Sequence, residues 1–219
     1  MQRVWALAAV AVVLLGVSRA SAQSAIFTFE GGNDQGWGAG FGNDASRVLP
    51  IDFIGGSNRM RVLRTGSFQE TGRETSNPGE DVYQALLAAS ANEAAYHFDY
   101  DWYVDTSAGG FGNFLQIGTY INTGNGYYAQ SGNEVELNGE QLASGQVFSG
   151  TVSRTFASRG YDMPAAQTFF RPGLILNGDG TAANVHFDNI RFYAVPEPAS
   201  LALLAITAPA LLLAIRRRR

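Results

Sequence analysis

The sequence predicts an all-β domain, a two-sheet β-sandwich of jelly-roll type. Glycine is abundant, at 26 of 219 residues, which is typical of a chain with many turns. Short apolar stretches alternate with turn residues, and no long segment has the periodicity of an amphipathic helix. Between residues 23 and 194 these signals divide the chain into roughly eight to ten strands. One domain of this length is large enough to enclose a single hydrophobic core.

The clearest strand is Tyr96–Asp105, because its side chains alternate strictly between apolar and polar. The apolar face carries Tyr96, Phe98, Tyr100, Trp102 and Val104, and the polar face carries His97, Asp99, Asp101, Tyr103 and Asp105. Successive side chains of a strand point to opposite sides of the sheet, so this pattern predicts a strand with one face on the core.

Eight further segments have the composition of strands. They are Ala25–Glu30, Met60–Thr65, Phe114–Ile121, Tyr127–Gln130, Glu134–Leu137, Val147–Phe156, Phe169–Leu176 and Val185–Tyr193. Asn125-Gly126, Asn138-Gly139 and Asn177-Gly178 predict tight turns, because asparagine and glycine tolerate positive φ. The segment Asp81–Asn92 stays open, since its Ala/Leu content favours a helix and its neighbours favour a strand.

The alternation changes phase inside the last strand. Val185 and Phe187 fit one face, whereas Ile190 and Phe192 fit it only if one residue is inserted before them. A slip of one residue at Asp188-Asn189 is what a β-bulge produces, and bulges redirect side chains.

The polar face of Tyr96–Asp105 is a candidate glycan-binding surface. His97, Asp99, Asp101 and Tyr103 lie about 7 Å apart along one side, where they could bind sugar hydroxyls. Tyr103 or Trp37 would then stack on a sugar ring, and the Gly/Asn/Tyr stretch Asn122–Gln130 is a candidate binding loop. The alternative is the solvated face of a half-buried strand.

Composition excludes several classes of function. Residues 23–194 contain nine arginines and 18 acidic residues, a net charge of about −9, which argues against nucleic-acid binding. The chain contains no cysteine and no lysine, so thiol chemistry and Gly-Lys phosphate loops are excluded. Asp99 and Asp101 have nearly the spacing of an inverting glycosidase pair, but that pattern is common in strands. We therefore expect no catalytic activity.

The N-terminus has the organisation of a signal peptide. Met1-Gln2-Arg3 is basic, the next residues through Val17 are apolar, and Ala20-Ser21-Ala22 has the pattern that signal peptidase cleaves. We expect export with cleavage after Ala22, so that residues 1–22 do not belong to the fold. The alternative is an uncleaved N-terminal anchor.

The C-terminus, residues 195–219, has three parts with separate physical meanings. Pro196, Glu197 and Pro198 interrupt regular structure, Leu201–Ile215 is apolar, and the chain closes with Arg216, Arg217, Arg218 and Arg219. Terminal arginines resist translocation and hold that end in the cytoplasm. At ~1.5 Å per residue the apolar run spans roughly 22 Å, short of a hydrocarbon core of ~30 Å, which favours a transient anchor. The alternative is a buried helix of the domain.

This order of motifs resembles the PEP-CTERM sorting signal of bacterial surface proteins. In that family an exosortase recognises the Pro-Glu-Pro motif, so the resemblance implies an exosortase as partner, a single hydrophobic helix in the membrane, and final placement at the cell surface or in the extracellular matrix. The resemblance covers Val195–Arg219 and concerns delivery rather than chemistry.

A second resemblance concerns the ends of the body. Phe27–Gly32 with Gln35-Gly36-Trp37, and Val185–Phe192, are similar to the first and last strands of jelly rolls related to carbohydrate-binding modules and galactose-binding domains. That group often holds a structural calcium beside these strands. The resemblance implies Glu30 and Asp188 as its carboxylate ligands. The alternative is that Asp188 caps backbone amides in a turn.

The expected function is that of an exported, non-catalytic surface or matrix protein that binds extracellular polysaccharide. The alternatives are a dedicated carbohydrate-binding module and a weak polysaccharide hydrolase.

Overall fold

Two antiparallel β-sheets face each other and enclose an apolar core. The computed structural model describes residues 24–39, 50–64, 68–124, 126–129, 133–161, 169–181 and 183–195, and the structural statements that follow concern these ranges. The prediction of a β-sandwich is confirmed in its two antiparallel sheets, and the structure adds two α-helices.

Sheet A contains the first and the last strand. Its members are β1 (Ser24–Phe27), β3 (Ile51–Ile54), β4 (Ser57–Arg64), β6 (Tyr96–Asp105), β10 (Val147–Thr155) and β12 (Ala183–Ala194). The strand order is β10-β6-β12-β4-β3, and β1 pairs with β12 beyond the end of its pairing with β4.

Sheet B contains the remaining strands. They are β2 (Trp37–Ala39), β5 (Phe68–Arg73), β7 (Phe114–Thr123), β8 (Gly126–Ala129), β9 (Val135–Asn138) and β11 (Phe170–Gly178). The order is β2-β5-β11-β7, and β8 and β9 pair with different halves of β7.

Strand β6 has the predicted bounds and the predicted faces. Phe98, Tyr100 and Val104 are fully buried and point into the core between the sheets. The opposite face lies on the outside of sheet A. Alternation along one strand therefore placed both faces of this strand correctly.

The predicted bulge in β12 is confirmed. The register with β6 shifts between Asp188 and Arg191, so that Asn189 and Ile190 together oppose Tyr100. Asn189 adopts a positive φ of 48°, a conformation that asparagine tolerates better than most residues. The inserted residue returns Ile190 to the core after Phe187.

The segment left open by the sequence is a helix, α1 (Asp81–Ala91). Its buried residues are Val82, Ala85, Leu86 and Ala89, a helical spacing that the strand alternative does not explain. The apolar face covers the core beside β1 and β12.

Two predicted Asn-Gly turns are wrong. Asn138 caps the short helix α2 (Gly139–Leu142), where its side chain accepts from the amide of Gln141 and the Gln141 side chain accepts from the amide of Asn138. This reciprocal capping box starts a helix instead of a hairpin. Asn177-Gly178 continues β11 to its end.

Buried Arg64 holds two loops together from the core side of β4. Its guanidinium donates to the carbonyls of Gly178, Gly180 and Phe111, and the side chain is fully buried. Burial lowers the pKa of Arg64, partly offset by Asp179. The loops that close this end of the sandwich are therefore fixed by one charged side chain.

The predicted signal peptide and nearly all of the predicted sorting segment lie outside the described residues. Residues 1–22, and within the sorting segment residues 196–219, lie outside the described ranges. Among the described helices, none has both the length and the apolar composition needed to cross a bilayer.

Candidate ligand-binding surface

Three glycines form a row across the outer face of sheet B. Gly38 of β2 lies opposite Gly72 of β5, and Gly72 lies opposite Gly173 of β11. Gly173 in turn lies opposite Tyr120 of β7. Because a glycine carries no side chain, three in a row leave a shallow trough across the sheet.

The ring of Tyr120 lies flat in this trough. A methyl group added to Gly173 would come within 2.1 Å of Tyr120 Cζ, and one added to Gly72 within 2.1 Å of the Tyr120 hydroxyl oxygen. The tyrosine is fully buried although it belongs to the outer face. At Gly38 an added methyl would meet nothing within 4 Å, so among the described residues nothing fills the trough at its β2 end.

Tyr127 of β8 stacks on Tyr120 and presents a half-exposed ring. The ring centroids lie 5.5 Å apart with planes 25° from parallel, and Tyr127 is 45 % exposed. Its hydroxyl donates to Oε1 of Glu70 at 2.8 Å, which fixes the ring at both ends. Burial raises the pKa values of Tyr120 and Tyr127 well above the usual range of tyrosine, and the nearby Glu70 carboxylate raises them further. Both side chains therefore stay neutral.

Polar side chains lie on the same face of sheet B as the tyrosine platform, defined here as Tyr120, Tyr127 and Glu70. Asn177 donates to Gln116 at 3.0 Å between β11 and β7, and Arg171 pairs with Glu74. Phe68 opposes Asn177 from β5 and is 54 % exposed. A flat aromatic ring beside amide, carboxylate and guanidinium groups can stack on the apolar face of a sugar while its hydroxyls are hydrogen-bonded.

The predicted row on the outer face of sheet A is present, but its two carboxylates are already bonded. Asp99 is only 3 % exposed and accepts from the Tyr193 hydroxyl at 2.7 Å. Asp101 accepts from Thr151 at 2.6 Å and from Asn189 at 2.8 Å. These carboxylates hold neighbouring strands of sheet A together.

The two rings in the same row are also partnered. His97 stacks on Tyr193 with centroids 5.3 Å apart, and its Nδ1 lies 3.3 Å from Ser153 Oγ. Tyr103 lies beneath the guanidinium of Arg59, whose Cζ is 4.8 Å from the ring centroid.

The prediction that Trp37 stacks on a sugar needs correction. Trp37 is 2 % exposed and packs edge-on against Phe27 between the two sheets, with ring centroids 5.7 Å apart. Its position on β2 opposite Arg73 puts its side chain on the core face of sheet B. The ring is a core residue and is not available at the surface.

Glu30 and Asp188 come together around one serine. The Ser57 hydroxyl lies 2.7 Å from Oε1 of Glu30 and 2.7 Å from Oδ2 of Asp188. Ser57 has a single hydroxyl proton, so it donates to only one of the two carboxylates at a time. Asn58 also donates to the backbone carbonyl of Glu30 at 3.1 Å.

The charge of this cluster favours a cation. Burial raises the pKa of Asp188, and the nearby Glu30 carboxylate also raises it, against the lowering effects of Ser57, the Asn189 amide and Arg59. Two carboxylates, a hydroxyl and a carbonyl are hard oxygen donors of the kind that calcium prefers. Within the described ranges, no group of three or more histidine and acidic side chains is arranged to hold a metal ion. Further oxygens would have to come from the backbone or from water.

Comparisons with known proteins yield structural likeness only. The sequence matches no protein-family model, and no curated protein matches it significantly. A family 28 carbohydrate-binding module specific for non-crystalline cellulose superposes with a TM-score of 0.55 at 14 % identity, covering 77 % of this chain and 94 % of the module. A family 27 carbohydrate-binding module with specific mannan recognition gives 0.50 at 14 % identity, covering 79 % and 99 %. At these identities the likeness shows the fold alone.

The tyrosine platform was not predicted from the sequence as a site. Tyr127 lies in the stretch Asn122–Gln130, which was a candidate binding loop, and the structure places it in strand β8. Tyr120 and Glu70 carried no signal, because what joins them is the register of β5, β11 and β7.

Proposed function

We propose that this chain is a non-catalytic polysaccharide-binding protein whose binding surface is the tyrosine platform on sheet B. The observation that carries the proposal is the half-exposed ring of Tyr127, held by stacking on Tyr120 and by its bond to Glu70. A ring held in this way loses little conformational freedom when a sugar stacks on it.

Polysaccharide binding by single-residue variants tests the proposal. The full chain is measured in mild detergent by depletion or affinity electrophoresis against cellulose, mannan and xylan. Tyr127→Ala removes the stacking ring, and we expect at least a tenfold loss of affinity, because truncating a central aromatic residue costs about 2 kcal/mol. Tyr127→Phe keeps the ring and loses only the bond to Glu70, so we expect a smaller loss.

Tyr103→Ala is the matched control on the other sheet. It removes a tyrosine of the predicted sheet A row, and binding should remain unchanged. The reverse result, loss in Tyr103→Ala and retention in Tyr127→Ala, would move the site to the row of His97, Asp99, Asp101 and Tyr103. Absence of binding to every polysaccharide would reject the proposal.

The two alternatives differ from this proposal in measurable ways. A weak hydrolase would release reducing sugar from a polysaccharide, and Asp99→Asn and Asp101→Asn would abolish that release. Both carboxylates are bonded to neighbouring strands, which argues for a structural role. A dedicated carbohydrate-binding module would show saturable binding to one polysaccharide on a glycan array.

Calcium would hold the first and last strands together at Glu30 and Asp188. The ion would neutralise two carboxylates that share one serine hydroxyl, so we expect millimolar calcium to raise the Tm of the full chain. Asp188→Asn should abolish that increase, whereas Glu140→Gln, which changes an exposed carboxylate in α2, should retain it. An unchanged Tm in the parent chain would remove calcium from the proposal.

The two terminal segments would direct export of the protein and its placement at the cell surface. Signal peptidase would cleave after Ala22 on export, and an exosortase would recognise Pro196-Glu197-Pro198 while the following apolar run holds the chain in the membrane. The terminal arginines, Arg216–Arg219, would set its orientation. The mature domain would then act at the cell surface or in the extracellular matrix.

A further inference from the structure

Strand β10 is an unusually long sheet edge for this molecule. It has nine residues, and among the described residues it pairs only with β6. The other strands at sheet edges, β1, β2, β3, β8 and β9, have three or four residues each. A long edge exposes a row of backbone donors and acceptors to any strand that reaches it.

Little of the usual protection of such an edge is present on β10. Val147–Thr155 contains no proline, no lysine and no acidic residue, and its register with β6 runs without a bulge from one end to the other. Arg154, near one end, is its only charged residue. Val147 is an apolar residue with 51 % exposure on this strand. Natural sheets normally block edges of this length with charges, prolines or bulges.

The phase of the ladder shows which residues face outward. The Gln146 carbonyl accepts from the Thr106 amide, and the Phe156 amide donates to the Tyr96 carbonyl. Gln146 and Phe156 both have even numbers, and hydrogen-bonded and non-hydrogen-bonded pairs alternate along an antiparallel ladder. The backbone groups of the even-numbered residues of β10 therefore form the hydrogen bonds to β6. The odd-numbered residues direct their N–H and C=O groups away from β6. They are Val147, Ser149, Thr151, Ser153 and Thr155.

We propose that β10 pairs with β10 of a second copy of this chain, antiparallel about a two-fold axis at Thr151. In this register Thr151 opposes Thr151 of the second copy, Ser149 opposes Ser153, and Val147 opposes Thr155. Every one of these pairs joins outward-facing residues, so the backbone groups of both edges are satisfied at once. The pairing joins the A sheets of two molecules into one continuous sheet.

The side chains of this register complement each other. On the outer face Thr151 meets Thr151 and Ser149 meets Ser153, and hydroxyl pairs are a favourable cross-strand combination. On the other face Phe148 opposes Arg154 of the second copy, and a guanidinium next to an aromatic ring is attractive. Arg154, the only charged residue of the strand, therefore does not oppose Arg154 of the second copy. A symmetric contact of this kind closes after two molecules, as isologous interfaces do.

Cysteine cross-linking tests the register directly, because the natural chain contains no cysteine. In the proposed dimer two Thr151→Cys residues face each other at a Cα separation of ~5.5 Å, within the ~4.4–6.8 Å range of disulfides. Two Ser153→Cys residues would be offset by four positions, roughly 14 Å at ~3.4 Å per residue. Under mild oxidation the full-length Thr151→Cys chain should form a covalent dimer, and Ser153→Cys alone should not. Mixing Ser149→Cys with Ser153→Cys chains should restore the cross-link.

A proline variant tests the hydrogen bonds without disturbing the fold. The Thr151 amide points away from β6, so Thr151→Pro removes a donor from the free edge only. Thr151→Ala is its control, because both variants lose the hydroxyl that donates to Asp101. In sedimentation velocity we expect a dimer for the parent chain and for Thr151→Ala, and a monomer for Thr151→Pro. Circular dichroism checks that all three are folded.

Two results would overturn the proposal. One is a Thr151→Cys chain that cross-links no faster than Ser153→Cys. The other is an identical mass for the parent chain and Thr151→Pro. If both are monomers, no dimer forms, and if both are dimers, the contact lies on another surface. Polysaccharide binding by these variants is a separate readout, because the tyrosine platform lies on sheet B.

Discussion

A buried ion pair connects the two sheets at the level of single residues. Arg159 Nε lies 2.5 Å from Oε1 of Glu134, and these side chains are 1 % and 2 % exposed. The second oxygen of Glu134 accepts from the Tyr100 hydroxyl of β6 at 2.8 Å. Glu134 directly precedes β9, so this one carboxylate links both sheets. The pKa of Tyr100 is raised by burial and then by Glu134, which keeps the phenol protonated as a donor.

Glu134→Gln should strongly destabilise the domain. It leaves the Arg159 charge buried without a counter-charge, which lowers the free energy of unfolding by about 3–5 kcal/mol. Thermal unfolding of the full chain measures the loss. Glu74→Gln is the control, because Glu74 pairs with Arg171 at a side-chain exposure of 59 % and exposed pairs contribute about 0–1 kcal/mol. Equal losses in the two variants would contradict a special role for the buried pair.

At the level of the element, the glycine row decides the shape of the tyrosine platform. Gly173 cannot carry a side chain while Tyr120 keeps its place, since an added methyl would come within 2.1 Å of Tyr120 Cζ. The ring would have to leave the trough, and Tyr127 would lose the surface on which it stacks.

Gly173→Ala should therefore reduce polysaccharide binding without replacing any residue that contacts the sugar. We expect a loss comparable to that of Tyr127→Ala, with a lower Tm because a buried ring is displaced. The matched control is Gly38→Ala in the same row, where an added methyl meets nothing within 4 Å. Full binding by Gly173→Ala would show that the platform does not depend on Tyr120.

The sequence predicts an element correctly where a single strand carries its own pattern of apolar and polar residues. The alternation of β6 and the phase slip of β12 predicted a strand and a bulge that the structure contains. Strand β5 was missed, because Phe-Gln-Glu-Thr-Gly-Arg has no apolar alternation and its buried residues Gln69 and Thr71 are polar.

The candidate site was harder to predict than the fold. A trough made by Gly38, Gly72 and Gly173 needs three strands in one register, and these residues are separated by long stretches of sequence. The burial of Trp37 has the same origin, since its face depends on the pairing of β2 with β5. Glu30 and Asp188 were brought together by a resemblance at the chain ends, and the structure places both against Ser57.

At the scale of the whole molecule, delivery and binding should be separable. Replacing Pro196, Glu197 and Pro198 with alanine should leave export intact and change C-terminal processing or surface retention. Immunoblotting of cell, surface and medium fractions follows the outcome in the native host. The matched variant is Tyr127→Ala, which should be processed normally and fail to bind polysaccharide. Identical processing and placement of the parent and the alanine variant would contradict the sorting prediction.

The pairing of β1 with β12 has a consequence for how the domain can be rearranged. Ser24 lies directly opposite Tyr193, so the entry and exit points of the sandwich are neighbours across one strand spacing. A linker of a few residues could close the backbone into a ring, and the chain could be reopened in a surface turn with every strand pair preserved. Circular permutation is therefore open to this domain, with new ends placed away from the first and last strands.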